Sequence, residues 1–183
     1  MESVWEKTVS KPRFDALNRN KNVDVLIIGG GITGILCAYK LKNSGVDCML
    51  VEATETCGGI TKNTTAKITS QHGLIYDTLI RQFGTEKARL YLEANQNALQ
   101  QYRDLCRNMD CDFTEQDAMV YALDDRQKID KELEALRSLG FDATFEKELP
   151  LPFLVAGAER FPRQAQFHPL KFLSAIAQGL HIF

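Results

Sequence analysis

Apolar residues along this chain change their spacing several times, and each change marks an element. The first apolar run is Val23, Val25, Leu26, Ile27 and Ile28, rich in β-branched residues and read as a strand. It leads straight into Gly29-Gly30-Gly31. From Ile32 to about Asn43 the apolar positions Ile35, Leu36, Tyr39 and Leu41 then follow a helical spacing. Asn43-Ser44-Gly45 ends this helix, with Gly45 as a left-handed stop. Val46–Val51 is a second β-run that delivers Glu52 at its carboxyl end.

Glu52 to His72 is polar and threonine-rich, the composition of a surface loop followed by a polar strand. Gly73–Phe83 reads as a short helix, Gly84 breaks it, and Thr85 is the expected N-cap of a helix running to about Met109. Tyr91 and Tyr102 lie near a 3.6 period in that helix, which makes them part of a packing face before anything else. Past Asp112, Phe113 and Met119–Leu123 read as short strands. Asp124 or Asp125 caps a helix through Leu139, Gly140 stops it, and Ala143–Phe145 is a further strand. Pro150, Pro152 and Pro162 punctuate the next section and leave Phe153–Ala156 and Gln164–Phe167 as two short strands. Pro169 opens a last helix, and a strand begins at His181-Ile182-Phe183.

This alternation predicts an α/β fold with a Rossmann-like βαβ start. Its glycines Gly29, Gly31 and Gly34 stand in G-x-G-x-x-G spacing. In a dinucleotide site the first permits a tight turn, the second lets backbone approach a pyrophosphate, and the third lets helix and strand pack closely. The helix start from Ile32 and Thr33 presents N–H groups to phosphates. An acid about twenty residues beyond the glycines suits a ribose hydroxyl, and Glu52 stands there. A glycine turn that merely joins strand to helix is the plainer alternative, but turn, helix, strand and acid agree. On these residues alone NAD(P) and FAD both remain open.

Composition narrows the class. A net charge of −2 gives no basic stripe for nucleic acid, and no apolar run approaches the roughly twenty residues of a membrane span. The first residues lack the apolar core of a signal peptide. The five cysteines are odd in number and form no C-x-x-C, which argues against a disulfide framework or zinc ribbon and fits a reducing cytoplasm. Cys37 and Cys48 are expected in the core, and Cys57 as a small loop residue. Residues 1–22 form a polar lead-in that Trp5 and Phe14 can anchor, with no chemistry of its own.

The segments VDVLIIGGGITGILCAYKLKNSG, VEA and GGITKNTTAKITSQHG resemble FAD-dependent oxidoreductases of the D-amino-acid oxidase and glycine oxidase (DAO) type. They look most like the branch in which such a domain precedes a C-terminal Rieske iron–sulfur domain. The resemblance implies FAD, with Gly29, Gly31, Ile32, Thr33 and Gly34 at the pyrophosphate, and Glu52 with Ala53 at the adenosine ribose. It implies the loop residues Gly59, Thr61, Lys62, Thr65, Lys67 and Ile68 beside the pyrophosphate, ribityl chain and flavin ring. It also implies a domain order: an arm at 1–22, FAD-binding domain at 23–83, part of an interleaved α+β substrate domain at 84–164, and a return into the FAD domain at 165–183. The expected reaction is hydride transfer to FAD from a C–H beside an amine, with an amine or amino acid as substrate. Alternatives are an NAD(P)-dependent dehydrogenase and a non-catalytic nucleotide-binding fragment.

No catalytic residue can be selected, since the substrate pocket should draw on a half of the family domain that is absent here. His72 and His168 read as structural groups, Lys67 as either a surface lysine or a charge near the flavin, and no residues form a metal set or a Rieske cluster. The chain thus reads as an N-terminal fragment. Apolar surface left open by truncation leads to an expectation of self-association into a homo-oligomer.

Overall fold

The first two apolar runs form β1 (Val25–Ile28) and β2 (Cys48–Val51), paired in parallel with Val25 opposite Cys48 and Ile28 opposite Val51. A computed structural model describes residues 3–183. Between the strands runs α1 (Ile32–Asn43), with Ser44 at its C-cap and Gly45 at φ 76°, the left-handed stop expected there. Ile35 and Ala38 turn one face of α1 inward, which leaves Cys37 exposed. The sequence expectation of a core Cys37 is therefore corrected: an apolar helix position points inward only on the buried stripe. Cys48 is buried as expected.

The chain divides into two compact units. The first comprises the described residues through Ala66, then Asn108–Asp112 and Phe167–Phe183. Its last helix, α5 (Pro169–Ala177), has Pro169 in its first turn, and the Nδ1 atom of His168 accepts from the Lys171 N–H at 3.2 Å. After α5, Leu50 N–H donates to His181 O (2.9 Å), and Phe183 N–H donates to Leu50 O (3.0 Å). Ile182 thereby bridges Leu50 in parallel, adding the final residues to β2.

The second unit comprises Lys67–Arg107 and Phe113–Gln166. Here β6 (Gly157–Gln166) is the central strand, antiparallel to β3 (Lys67–Ile68), β4 (Thr114–Ala122) and β5 (Thr144–Glu146). Helices α2 (Tyr76–Phe83), α3 (Thr85–Cys106) and α4 (Arg126–Ser138) supply the rest. Tyr76, Ala88, Leu92, Leu136, Leu139 and Phe161 meet in its core, with the Tyr76 and Phe161 rings stacked 6.0 Å apart. Residues 67–83, grouped in the sequence with the nucleotide half, belong to this unit because Tyr76 is buried in its core.

Three local expectations change. The helix after Gly84 has Gly84 itself, φ 83°, as N-cap, so Thr85 is the first helical residue. Phe113 and Met119–Leu123 give way to one nine-residue strand, β4. Likewise Phe153–Ala156 forms no strand, and Gln164–Gln166 belongs to the ten-residue β6, which runs through Pro162. A bulge makes that possible: Gln116 pairs with Gln164 and Ala118 with Phe161, so Pro162 and Arg163 together oppose Asp117. Arg163 takes φ 52°, and its N–H donates to Asp117 Oδ1 at 3.0 Å. Asp125 caps α4 as expected, accepting from Gln127 N–H at 3.1 Å.

Two buried acids sit in this unit. Glu132 of α4 accepts from the N–H groups of Tyr76 (2.6 Å) and Asp77 (2.9 Å), capping α2, whose own N-cap is the apolar Ile75. Glu159 of β6 is fully buried, and neither of its carboxyl oxygens has a hydrogen-bond partner among the described residues. Burial, reinforced by the negative Glu132, pushes the Glu159 carboxyl up to about 8.

A raised folded-state value means that stability from this group is fully present below about pH 4.5 and is lost as pH rises through about 8. The loss is on the order of 5 kcal/mol for a shift of this size. Glu159→Gln is therefore expected to flatten the dependence of thermal stability on pH between about 5 and 8 and to stabilise the chain at the upper end. Thermal unfolding across that range checks this; a variant with the parent's pH slope refutes it.

Candidate nucleotide-cofactor site

The turn after β1 is built from backbone. Gly29 takes φ 108° and its N–H donates to Val51 O at 2.8 Å, tying the turn to the end of β2. The Gly30 N–H donates to Glu52 Oε2 at 2.7 Å. Gly31 is the N-cap of α1 and has no side chain to satisfy the helix start. Ile32 N–H instead donates to Thr61 Oγ1 at 3.2 Å, while Thr33 and Gly34 carry first-turn N–H groups that have no carbonyl to reach within the helix. A Cβ on Gly34 would lie 2.0 Å from Gly29 O, and one on Gly31 would lie 3.3 Å from Thr61 Oγ1. The third glycine thus lets α1 seat on β1, and the second keeps the approach to the helix start narrow in side-chain atoms.

Glu52 follows β2 directly. Its Oε1 accepts from both the N–H and the hydroxyl of Thr54, at 3.0 and 3.1 Å. The Gly30 N–H, and then the Thr54 N–H, hold its carboxyl below the usual carboxylate range, so it is anionic near neutral pH. With a single donor on Oε2, a lone pair remains there for a further hydroxyl. Ala53, next to it, is exposed.

The threonine-rich segment wraps the same turn. Cys57, at φ 59°, donates its N–H to Gly30 O at 2.8 Å. Burial pushes its thiol up to about 11, which leaves it protonated and unreactive. Gly59 is exposed, a short 3₁₀ turn spans Ile60–Asn63, and Thr61 is buried against the helix start. Lys62 pairs with Glu6 at 3.1 Å, and Thr65 is exposed. Lys67 and Ile68 belong to the second unit, where Lys67 is exposed and Ile68 is buried opposite Ala165. The structure therefore brings Gly29, Gly31, Ile32, Thr33, Gly34, Glu52, Ala53, Gly59, Thr61, Lys62 and Thr65 into one unit, and places Lys67 and Ile68 in the other.

Beside Glu52 opens a cavity of about 630 Å³. Thr54, Glu55 and Thr56 line it after β2, Ile182 and Phe183 from the final residues, and Ser10 to Phe14 from the lead-in arm. Those arm residues were missing from the sequence-derived site. They follow no period and match no motif; the signals were Trp5 and Phe14, two aromatic residues in a polar stretch, readable as anchors of the arm but not as a cavity wall. The first-turn N–H groups of Thr33 and Gly34 at a helix start with no side chain at its N-cap, an anchored carboxylate and an adjoining cavity fit a dinucleotide.

The histidines serve elsewhere. His168 caps α5, and His72 lies exposed in the second unit with a ring nitrogen 3.4 Å from Asn95 Oδ1. Tyr91 is 37% exposed and packs edge-on against Tyr76, so it is only partly a packing residue. Among the described residues no His, Cys, Asp and Glu group could hold a metal ion, and no helix is long and apolar enough to cross a membrane.

Comparison with known proteins agrees with this geometry. A sequence model described as FAD dependent oxidoreductase (DAO) matches residues 24–181. The chain is 44% identical to YhfW of Bacillus subtilis (strain 168), named as a Rieske 2Fe-2S iron-sulfur protein, over 98% of this chain and 36% of that protein. Over 77 residues, 42% of this chain and 18% of the relative, it is 29% identical to gamma-glutamylputrescine oxidoreductase of Escherichia coli (strain K12). Among solved structures it is similar in fold to L-proline dehydrogenase from P. horikoshii, with a TM-score of 0.70 at 15% identity, over 88% of this chain and 43% of that one. The chain thus spans about a third of YhfW and about a fifth of the oxidoreductase.

The helix-to-strand contact makes a sharp stability prediction. Gly34→Ala places a methyl 2.0 Å from a backbone oxygen and should lower thermal stability severely. Gly45→Ala, with open space around it and φ 76°, should cost only the left-handed penalty of about 1–2 kcal/mol. Equal losses in the two variants, measured by thermal unfolding, would show that the contact does not constrain α1.

Proposed function

The chain belongs to the FAD-dependent oxidoreductase (DAO) family, and on that premise we propose that its first unit holds FAD for the oxidation of an amine or amino acid. The observation that carries the reading is Glu52: an anionic carboxylate fixed at the end of β2 by Gly30 and Thr54, with acceptor capacity left over, beside a helix start that no side chain of its own caps. In this reading Gly29, Gly31 and Gly34, with the N–H groups of Thr33 and Gly34, receive the pyrophosphate. Glu52 and Ala53 take the adenosine ribose. Gly59, Thr61, Lys62 and Thr65 run along the remainder of the cofactor, whereas Lys67 and Ile68 lie in the second unit.

When bound, FAD supplies a two-electron acceptor for the hydride of a substrate C–H beside an amine, which becomes an imine as a proton leaves its nitrogen. The residues of this chain hold and orient the cofactor. Thr61 fixes the helix start, and Glu52 keeps the Gly30 peptide in place while accepting from ribose. Support for an amine or amino acid comes from relatives whose own names specify gamma-glutamylputrescine and L-proline. Support for a Rieske domain as electron partner in a longer protein comes from the name of YhfW, of whose length this chain spans 36%.

Denaturing release and chromatography of any bound chromophore, followed by titration of the stripped chain with FAD, tests the reading. Bound FAD is expected. Glu52→Ala should weaken FAD binding by about tenfold or more, since a charge-assisted hydrogen bond contributes roughly 1.5–3 kcal/mol. A parent chain that binds NAD(H) in place of FAD, or no FAD at all, overturns it.

A further inference from the structure

We propose that the arm ahead of β1 is a wall of the cofactor site and closes on the adenosine end of FAD. The inference rests on the assignment of Glu52 to the adenosine ribose. Three separate attachments hold the arm against the first unit. Trp5 donates its Nε1–H to Thr64 O at 3.0 Å, in the threonine-rich segment. Thr8 Oγ1 lies 2.8 Å from His168 Nε2, at the start of α5. Because His168 Nδ1 already accepts from Lys171, Nε2 carries the proton and donates to Thr8. Lys11 pairs with Glu55 (3.0 Å) and Glu6 (3.4 Å), and Glu6 pairs in turn with Lys62 (3.1 Å). Glu6 and Lys11 are mostly covered, at 17% and 18% exposure, so this is a linked network more than a set of solvated surface pairs.

The attachments leave the next residues, Pro12, Arg13 and Phe14, along the same cavity as Glu52. Arg13 has no ion pair or hydrogen bond among the described residues, whereas Lys11 is already neutralised. Ile182 and Phe183 line the cavity as well, and the Lys21 ammonium lies 3.8 Å from the Phe183 ring centroid. A ring, a planar guanidinium, a proline and an isoleucine around an anchored carboxylate suit a flat purine joined to a hydroxyl-bearing sugar. A flavin mononucleotide lacks that adenosine, so the arm contributes to holding FAD over FMN.

The test uses the chain itself with FAD, ADP and FMN as separate probes. Phe14→Ala and Arg13→Ala keep every attachment of the arm, so folding is checked by melting without ligand. Each variant is expected to bind FAD and ADP about tenfold more weakly, the equivalent of about 1.4 kcal/mol, with FMN unchanged. In the unaltered chain, trypsin has a cleavable bond after Arg13, while Pro12 protects Lys11. ADP and FAD should slow that cut and FMN should not. If the parent binds FAD and ADP but the variants match it, and the cut proceeds equally with and without ADP, the arm is no part of the site and the FAD assignment stands. If the parent binds neither FAD nor ADP, the assignment of Glu52 falls and the arm proposal falls with it.

Discussion

The contact between Gly34 and Gly29 leaves no room for a side chain: a Cβ on the one would sit 2.0 Å from the carbonyl oxygen of the other. The glycine turn, α1 and the end of β2 are aligned by that contact. It fixes the height of α1 over β1 and so fixes where the Thr33 and Gly34 N–H groups stand. It also holds the turn in which Gly30 donates to Glu52. Because Gly29 N–H is bonded to Val51 O, the end of β2 and its carboxylate are located by the same turn. A shift of α1 by the width of one methyl group would move the helix start away from Glu52.

The second unit spends its buried polar groups differently. Glu132 is an acid placed at a helix start by tertiary contact; burial raises its carboxyl above the usual range, and the N–H groups of Asp77, Tyr76 and Ile75 partly offset that. Glu159 has no such donors and remains neutral where most carboxyls ionise. One acid therefore stabilises α2, while the other burdens the sheet as pH rises. The two are neighbours in space but 27 positions apart in the chain, between α4 and the central strand.

Local signals explain which parts were legible in the sequence. The strand, glycine turn, helix Ile32–Asn43 and following acid could all be read because each depends on residues within a turn or two of itself. The same is true of the Asp125 cap and of Pro169 at the start of α5. Pro162 misled, since a proline inside a central strand is tolerable only at a bulge, and the bulge is created by Asp117 on another strand. The cavity wall at Pro12 to Phe14 was invisible for a related reason: its position is set by Thr64, His168 and Glu55, all distant in sequence. Cys37 failed on rotation around the helix, with Ile35 and Ala38 taking the inward face.

The attachment at Trp5 has an optical consequence. It is the only tryptophan of the chain, with its ring edge-on to the His168 imidazole at 5.0 Å. Both residues belong to the first unit, and the second unit contains tyrosine and phenylalanine but no tryptophan. Selectively excited indole emission therefore observes the arm and its seat directly, and is blind to the sheet around β6 except through coupling between the units. The molecule carries a built-in lamp on the arm of its first unit.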